Sequence, residues 1–257
     1  MKKTLTITVI GGGNVAFHLV DTFLKLTDVE VKQLYNRSCF TSDFDKFEIK
    51  KTTHIAELKP TDLTIIAVKD DAIADVSARL PYTNSLVVHT SGNTDIDLLN
   101  EKNRKGVFYP LQSFSKAKPV DFRKIPLCLE AKKAEDLNIL RHLAESISEN
   151  IYEINSFQRK ILHISAVFVN NFTNHLVGIG QKLCDEHKIP FEILKPLLTE
   201  TFEKLQNISA IEAQTGPARR DDQQTIKNHM AMLNGVEKEI YKTITNSILT
   251  TYGKEKL

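Results

Sequence analysis

The spacing of hydrophobic positions changes once along the chain. Up to about residue 153, short apolar runs alternate with stretches of helical spacing. The runs that predict strands are 5–10, 29–35, 46–52, 62–68, 85–89, 106–109, 125–130 and 151–154, the last two as edge strands. The run 62–68 is almost continuously apolar, as is typical of a strand buried on both faces. Repeated strand–helix alternation predicts an α/β fold with a doubly wound, mainly parallel sheet over residues 1–153.

After residue 153 only helical spacing remains, which predicts an all-α domain over residues 154–257. Apolar positions recur every three or four residues over 156–187, a single long helix weakened by Gly178 and Gly180. Further helices are predicted at 191–205, 207–213, 222–233 and 236–252, with Pro196 arguing that the first of them bends or starts late. Such a helix is usually buried against something. We therefore expect a homodimer through the C-terminal helices; the alternative is a monomer in which the long helix packs on the first domain.

A glycine-rich turn joins the first strand to the first predicted helix. Gly11, Gly13 and Ala16 occupy the G-x-G-x-x-G/A positions of a dinucleotide fingerprint, in the strand–turn–helix context that it requires. The free N–H groups and partial positive charge of the helix start suit a pyrophosphate. The predicted contacts here are Gly11, Gly13, Asn14, Val15 and Ala16. The first domain is thus predicted to be of Rossmann type.

The end of the second strand indicates which dinucleotide would bind. An NAD-binding unit usually carries Asp or Glu there, to bind the ribose 2′-hydroxyl. This chain has Asn36, followed by Arg37 and Ser38. A guanidinium and a hydroxyl suit a 2′-phosphate, which an acid would repel. We predict NADP as the cofactor; the alternative is a solvated turn in which Arg37 is surface charge.

Polar residues also follow two other strands, where ligands of such sheets bind. Val68 and Lys69 are predicted to line the cofactor crevice. Asp70 and Asp71 would either contact the cofactor or cap the next helix. Ser91, after the fifth strand, is predicted to meet the nicotinamide or a substrate and to serve as a reserve proton donor.

Two groups of residues in the helical half are candidates for chemistry. His163 and Asn171 place polar groups among the apolar positions of the long helix, where either could be a satisfied structural residue. A Gly216-Pro217 turn is followed by paired arginines and aspartates. Arg220 suits a carboxylate or phosphate. Asp222 is predicted to bind substrate or, alternatively, to cap the next helix.

The composition excludes few functions, but it indicates the environment in which the protein works. The chain has 257 residues and a formal net charge of +2, with acids and bases interspersed. This gives no argument for nucleic acid or an acidic membrane. Cys39, Cys128 and Cys184 are widely spaced and predicted to be free, packed thiols of a reducing compartment. With no signal peptide and no run of ~18 apolar residues, we expect a soluble cytoplasmic protein, and we predict no metal site.

The full chain resembles a bacterial family named as NADP oxidoreductases, with a Rossmann-like N-terminal domain and a C-terminal helical domain of unassigned function. The residues that carry the resemblance are Gly11–His18, Tyr109–Phe114, His163, Asn171, Thr215–Pro217, Arg220 and Asp222. The family is similar to pyrroline-5-carboxylate reductases and 6-phosphogluconate dehydrogenase-like proteins. The resemblance therefore implies a C-terminal domain of the 6-phosphogluconate dehydrogenase type, NADP binding and hydride transfer.

Two positions depart from the family pattern. Asp221 replaces the second glycine of the family's G-P-x-x-R-G-D turn, so the turn is expected to differ. In related β-hydroxyacid dehydrogenases a catalytic lysine precedes an asparagine by four residues, whereas Val167 stands four before Asn171. Pyrroline-5-carboxylate reductases work without that lysine.

The leading hypothesis is an NADP(H)-dependent oxidoreductase acting on a C=O or C=N carbon of a small anionic metabolite. His163 would donate the proton, because its ordinary pKa suits neutral pH. Asn171 would orient the substrate and Arg220 would hold its anionic group. The alternative, favoured by the missing lysine, is a protein that binds NADP(H) as a sensor without turning it over. A helical interaction protein with a vestigial Rossmann domain is a third hypothesis.

Overall fold

The computed structural model describes residues 4–257, and it contains an eight-stranded sheet in the order β3-β2-β1-β4-β5-β6-β7-β8. The strands are β1 Leu5–Ile10, β2 Val29–Tyr35, β3 Lys50–Thr52, β4 Leu63–Ile66, β5 Leu86–His89, β6 Arg104–Pro110, β7 Leu127–Ala131 and β8 Ile151–Glu153. All neighbouring pairs are parallel except β6 and β7. The predicted Rossmann-type α/β class is confirmed.

The helices that accompany the sheet are α1 Asn14–Phe23, α2 Ile73–Arg79, α3 Ala134–Glu145 and α4 Ser156–Ala166. Single 3₁₀ turns lie at Ser42–Phe44, Ile55–Glu57, Asp70–Ala72, Ile96–Leu98 and Phe122–Lys124. Side chains of α1 and α3 pack on one face of the sheet, where Val9, Ile65 and Phe108 are fully buried. Side chains of α2 and α4 pack on the other face. Both faces are therefore covered, which explains why the central strands are apolar throughout.

One predicted strand forms, but its predicted position in the sheet is wrong. The run 125–130 was expected at an edge, yet β7 lies between β6 and β8 and runs antiparallel to β6. A parallel neighbour needs a crossover connection, usually a helix. The connection 111–126 contains only the short turn Phe122–Lys124, so the chain returns in the opposite direction. The carboxyl ends of β1, β2, β4, β5 and β6 still meet at one edge, where ligands of such sheets bind.

Residues up to Val167 form one compact unit and Phe168–Leu257 a second, purely helical one. A π-helical segment, Val167–Phe172, follows α4, and the remaining helices are α5 Thr173–Glu186, α6 Lys195–Leu205, α7 Ala210–Ala213, α8 Pro217–Arg220, α9 Gln223–Met232 and α10 Gly235–Thr251. The predicted long helix 156–187 is thus α4, the π segment and α5, and Gly178 does not end it. Pro196 lies in the first turn of α6, after a 3₁₀ turn at Phe191–Leu194, as its missing N–H requires.

The second unit buries few side chains. The buried ones are Cys184, Ala218, Ile226, Thr245 and Leu249. Large apolar side chains are instead exposed by 38–77%: Phe168, Val169, Phe172, Leu176, Ile189, Ile193, Leu197, Phe202, Leu205, Ile208, Ile211, Met232, Val236 and Ile244. This unit therefore has almost no hydrophobic core of its own.

The strands end at Glu153, where the sequence predicts the domain boundary, whereas the compact units divide after Val167. The difference is α4, which belongs to the sheet unit because Leu162 packs on its core and Arg159 is fully buried there. Over the described residues, no helix is both long and apolar enough to cross a membrane.

Candidate functional site

The turn after β1 needs glycine at its first position. Gly11 has φ +130°, and a Cβ there would lie 2.1 Å from the Ala67 carbonyl oxygen. The Gly11 N–H donates to the Tyr35 carbonyl at 2.8 Å, so the turn lies against the ends of both β2 and β4. No other residue allows this approach, because other side chains would collide with the backbone.

The start of α1 is open. Gly13 is its N-cap, and a Cβ built on Gly13 would meet nothing within 4 Å. Within residues 4–257 no side chain caps this helix, and its first turn carries no acid. Free N–H groups and the positive end of the helix dipole therefore face unfilled space, which fits a pyrophosphate.

At this turn, the side chains of three predicted cofactor residues contact other parts of the protein. The Asn14 amide donates to the Phe114 carbonyl at 2.8 Å, which ties this side chain to the loop after β6. Ala16 is fully buried and Val15 packs against the core, so both support the turn through packing. His18 also contacts the loop after β6, through Nε2 and the Ser115 carbonyl at 2.9 Å.

Among the residues that the structure describes, the end of β2 presents one cation without an ion pair, Arg37. The Asn36 amide donates to the Ser38 carbonyl at 2.9 Å and packs beneath Gly12, whose Cβ would lie 2.8 Å from it. Asn36 thus shapes the turn. Arg37, Ser38 and Cys39 are exposed. In the part of the chain that the structure describes, the Arg37 guanidinium has no ion pair. Cys39 was expected to be packed, and that expectation is wrong; Cys128 and Cys184 are buried.

The end of β4 is close to the same turn, since the Ala67 N–H donates to the Ile10 carbonyl at 2.7 Å. Val68 is half-buried and Lys69 exposed. The helical turn that follows has no side-chain cap among the described residues, so the capping alternative for Asp70 and Asp71 is wrong.

His163 meets the ends of β5 and β6. Its Nδ1 lies 3.2 Å from the Tyr109 hydroxyl. A Cβ on Gly92 would lie 2.6 Å from that nitrogen and 2.8 Å from the Tyr109 oxygen, so only glycine fits against this hydrogen-bonded pair. Burial raises the pKa of Tyr109 to about 12. The phenol therefore keeps its proton at neutral pH and can donate it to Nδ1, which leaves Nε2 as the nitrogen available to a ligand.

Ser91 is more occupied than expected. Its hydroxyl oxygen accepts from the N–H groups of Asn93 and Thr94 at 3.0 and 2.9 Å, and the residue is buried. This local turn holds the loop after β5 in shape. Its place at the crevice edge agrees with a cofactor contact, but its oxygen is directed into the loop.

One central residue was missed by the sequence interpretation. Arg159 of α4 is fully buried and pairs with the Glu130 carboxylate. It also donates to the carbonyls of Ser91 and Thr94, at 3.2 and 2.6 Å, and to the Ser156 hydroxyl at 3.1 Å. On the sequence it stands between Gln158 and Lys160 on a polar stretch, so nothing marked it as buried.

The remaining predicted site residues lie in the second unit. Asn171 and Arg220 are exposed. Asp222 caps α9, since its carboxylate accepts from the Thr225 N–H at 3.0 Å and the Thr225 hydroxyl at 2.8 Å. These hydrogen bonds lower its pKa. The capping alternative is therefore the observed one, and a substrate role for Asp222 loses support.

Asp221 lies at the end of the short helix α8, after the Gly-Pro turn. Asp221 stands where the family has glycine, and it adopts the left-handed conformation at φ +59°. Aspartate tolerates this region better than most residues. Glycine also adopts this conformation freely, so the backbone here is one that both residue types allow.

The chain is similar to a protein of Bacteroides fragilis whose crystal structure bears the name "putative NADP oxidoreductase BF3122". The two share 34% identity over 97% of this chain and 100% of that one, with a TM-score of 0.89. The chain belongs to this family. Residues 125–248 also match a domain of unknown function, DUF2520.

More distant structures show the same fold. Protein TM1727 of Thermotoga maritima is 18% identical over 96% of this chain and 98% of that one, with a TM-score of 0.72. The pyrroline carboxylate reductase of Plasmodium falciparum, solved with NADP bound, is 15% identical over 98% and 97%, with a TM-score of 0.58. No curated protein matches the chain by sequence.

Proposed function

We propose that this protein is an NADP(H)-dependent oxidoreductase acting on a C=O or C=N carbon of a small anionic metabolite. The observation that carries the proposal is the open start of α1 at Gly13, at the sheet edge where Tyr109 and His163 also meet. The family member from Bacteroides fragilis carries an NADP oxidoreductase name, and the Plasmodium falciparum reductase holds NADP. Both agree with the proposal.

The geometry of the crevice supports dinucleotide binding independently of the relatives. The pyrophosphate would rest on the N–H groups after Gly13, and the adenosine ribose near the end of β2. Arg37 is exposed there and carries the charge that would bind a 2′-phosphate. The nicotinamide half would extend past Val68 and Lys69 toward Ser91. When bound, the dinucleotide would supply the hydride.

The protein's own task is orientation and proton supply. His163 in its imidazolium form, with its Nδ1–H donating to the Tyr109 oxygen, would give the proton of Nε2 to the oxygen or nitrogen next to the carbon that receives the hydride, and would be left as the neutral imidazole. We propose that Asn171 orients the substrate and that Arg220 binds its anionic group; the sequence pattern supports both. Replacing either by alanine should lower turnover without changing dinucleotide affinity.

The cofactor proposal is tested by calorimetry with NADPH and NADH. Arg37→Ala should weaken NADPH binding by roughly 10- to 100-fold, because a charge-assisted contact is worth about 1.5–3 kcal/mol. NADH affinity should stay nearly constant, since it lacks the 2′-phosphate. Arg79→Ala, on α2, is the matched exposed control. Equal losses for both dinucleotides would identify Arg37 as surface charge.

A binding protein without turnover is the second candidate. It is favoured by Val167, four residues before Asn171, where related dehydrogenases have a catalytic lysine. The two candidates separate in an assay of NADPH oxidation with a panel of carbonyl and imine acids. Turnover that falls in His163→Ala supports the enzyme. Tight NADPH binding with no turnover across the panel supports the sensor.

We also propose that two copies pair through the second unit. A groove of about 770 Å³ lies there between α5 and α10, lined by Phe172, Leu176, Val236 and Ile244 among others. Monomers rarely expose apolar patches above a few hundred Å². A unit that lacks its own core needs a partner that is always present, and a second copy is one. Obligate homodimer interfaces resemble a domain core cut in half, as this surface does.

A further inference from the structure

Arg159 is the largest of the fully buried side chains in the described part of the sheet unit, and the contacts described for it are polar. Its guanidinium binds the Glu130 carboxylate, the Ser156 hydroxyl and two backbone carbonyls, those of Ser91 and Thr94. Buried ion pairs add little net stability compared with apolar residues of similar size. The contacts with the two carbonyls therefore point to a purpose other than stability, namely the shape of the loop 91–94.

That loop is held from a second side as well. The Ser91 N–H donates to Nδ1 of the buried His89 at 3.2 Å. Burial, with the nearby charge of Arg159, lowers the pKa of His89 to about 3. His89 is therefore neutral at physiological pH and can accept this hydrogen bond. Arg159 and His89 together fix Ser91 at both its carbonyl and its N–H group.

The loop 91–94 lies where its shape would affect binding of the nicotinamide half of a dinucleotide. It directly follows β5, on the β4 side of the glycine turn, where the nicotinamide half of a dinucleotide would lie. Its Gly92 packs directly against the hydrogen-bonded Tyr109 and His163, so a shift of the loop toward them would make it collide with the two rings. The adenosine half would lie instead at β2, to which Arg159 makes no described contact.

We propose that Arg159 is a positioning residue that holds the loop 91–94 in the shape that receives the nicotinamide half of the dinucleotide. This inference rests on the proposed function, since it presumes dinucleotide binding. Arg159 acts through the carbonyls of Ser91 and Thr94 and touches neither the cofactor nor the substrate.

The test compares two ligands that share the adenosine end. NADPH carries both halves, whereas 2′,5′-ADP carries only the 2′-phosphorylated adenosine half. In Arg159→Met the affinity for NADPH, measured by calorimetry, should fall about tenfold or more, equivalent to ~1.4 kcal/mol. The affinity for 2′,5′-ADP should change by less than about twofold, because its site does not depend on the loop.

A matched control separates positioning from general destabilisation. Arg104 also pairs with a buried carboxylate, that of Asp136, but at the amino end of β6. Arg104→Met should lower the melting temperature and leave the ratio of the two affinities as in the wild type. Arg159→Lys, which keeps the charge but not the fork of donors, should restore part of the NADPH affinity.

The outcomes are distinguishable. If Arg159→Met keeps the wild-type ratio of affinities, the inference is wrong. If the wild type binds neither ligand, the proposed function itself fails. If Arg159→Met does not fold, Arg159→Lys decides, because it keeps the buried charge beside Glu130 but lacks the fork of donors that binds both carbonyls. A wild-type ratio in Arg159→Lys would then overturn the inference, and a selective loss of NADPH affinity would support it.

Discussion

The two units of this protein solve the problem of burying apolar surface in opposite ways. In the sheet unit, helices cover both faces, and residues such as Ile65 and Phe108 are completely buried. In the helical unit, side chains such as Phe168 and Val236 are 62% and 69% exposed. Burial of apolar surface is the main stabilising term in folding. The first unit is therefore stabilised by its own hydrophobic core, whereas the second needs another surface to bury its apolar side chains.

The largest expected effect contrasts two phenylalanines. Phe108→Ala should lower the free energy of unfolding by about 3–5 kcal/mol, because it leaves a cavity in a packed core. Phe168→Ala should change it by less than about 0.5 kcal/mol in dilute, monomeric protein, where that ring is solvated. Urea unfolding followed by circular dichroism measures both. Similar losses would show that the second unit has a core of its own.

The next prediction concerns assembly. Val236→Asp should weaken self-association by roughly 100-fold or more, because an unpaired buried charge costs about 3–5 kcal/mol. The position lies in the first turn of α10, where an acid favours the helix. Sedimentation equilibrium measures the effect. Leu98→Asp, at a similarly exposed leucine of the sheet unit, is the control. A monomeric wild type, or a dimeric Val236→Asp, would refute the proposed interface.

A smaller effect tests the interior of the sheet unit by pH. His89 has a pKa of about 3 in the fold against 6.5 when free. The unfolded chain therefore binds a proton below pH 6.5 that the folded chain refuses, and stability falls as the pH drops from 6.5 toward 3. The loss at pH 5 should be about 2 kcal/mol. His89→Gln should lose correspondingly less between pH 7 and pH 5 in urea unfolding; an identical pH dependence would show that His89 is solvated.

The smallest effect is expected at the surface of the helical unit. Hydrogen bonds from Thr225 lower the pKa of Asp222, so its capping of α9 is present at neutral pH and is lost as the pH falls below the carboxylate's ordinary 3.8. Asp222→Ala should speed hydrogen exchange of the Thr225 amide at neutral pH. Asp71→Ala, which removes an exposed acid with no capping role, should leave that amide unchanged. Unaltered exchange in Asp222→Ala would refute the cap.

Local signals made the Rossmann unit predictable from sequence. Gly11 and Gly13 act within one turn, so strand, turn and helix could be identified together, and the structure confirms all three. Tyr109 and His163 belong to the motifs that carry the family resemblance, but the contact between them joins positions 54 residues apart. Only the fold brings such positions together.

Arg159 shows why the rest was not predictable. Its partners Ser91 and Glu130 lie 68 and 29 residues away, and its neighbours on the chain are polar. A lone arginine on a helix is usually a solvated residue. The direction of β7 was missed for a related reason, since it depends on an irregular connection that has no period. Long-range polar contacts leave no pattern in the local sequence.

The exposed Cys39 has a practical consequence. With Cys128 and Cys184 buried, a maleimide dye applied to the native protein should react at a single thiol, two residues from Arg37. Fluorescence from that dye would report the arrival of a phosphorylated adenosine without any engineered mutation. Cys39 is thus a natural labelling site beside the residue that would distinguish NADP from NAD.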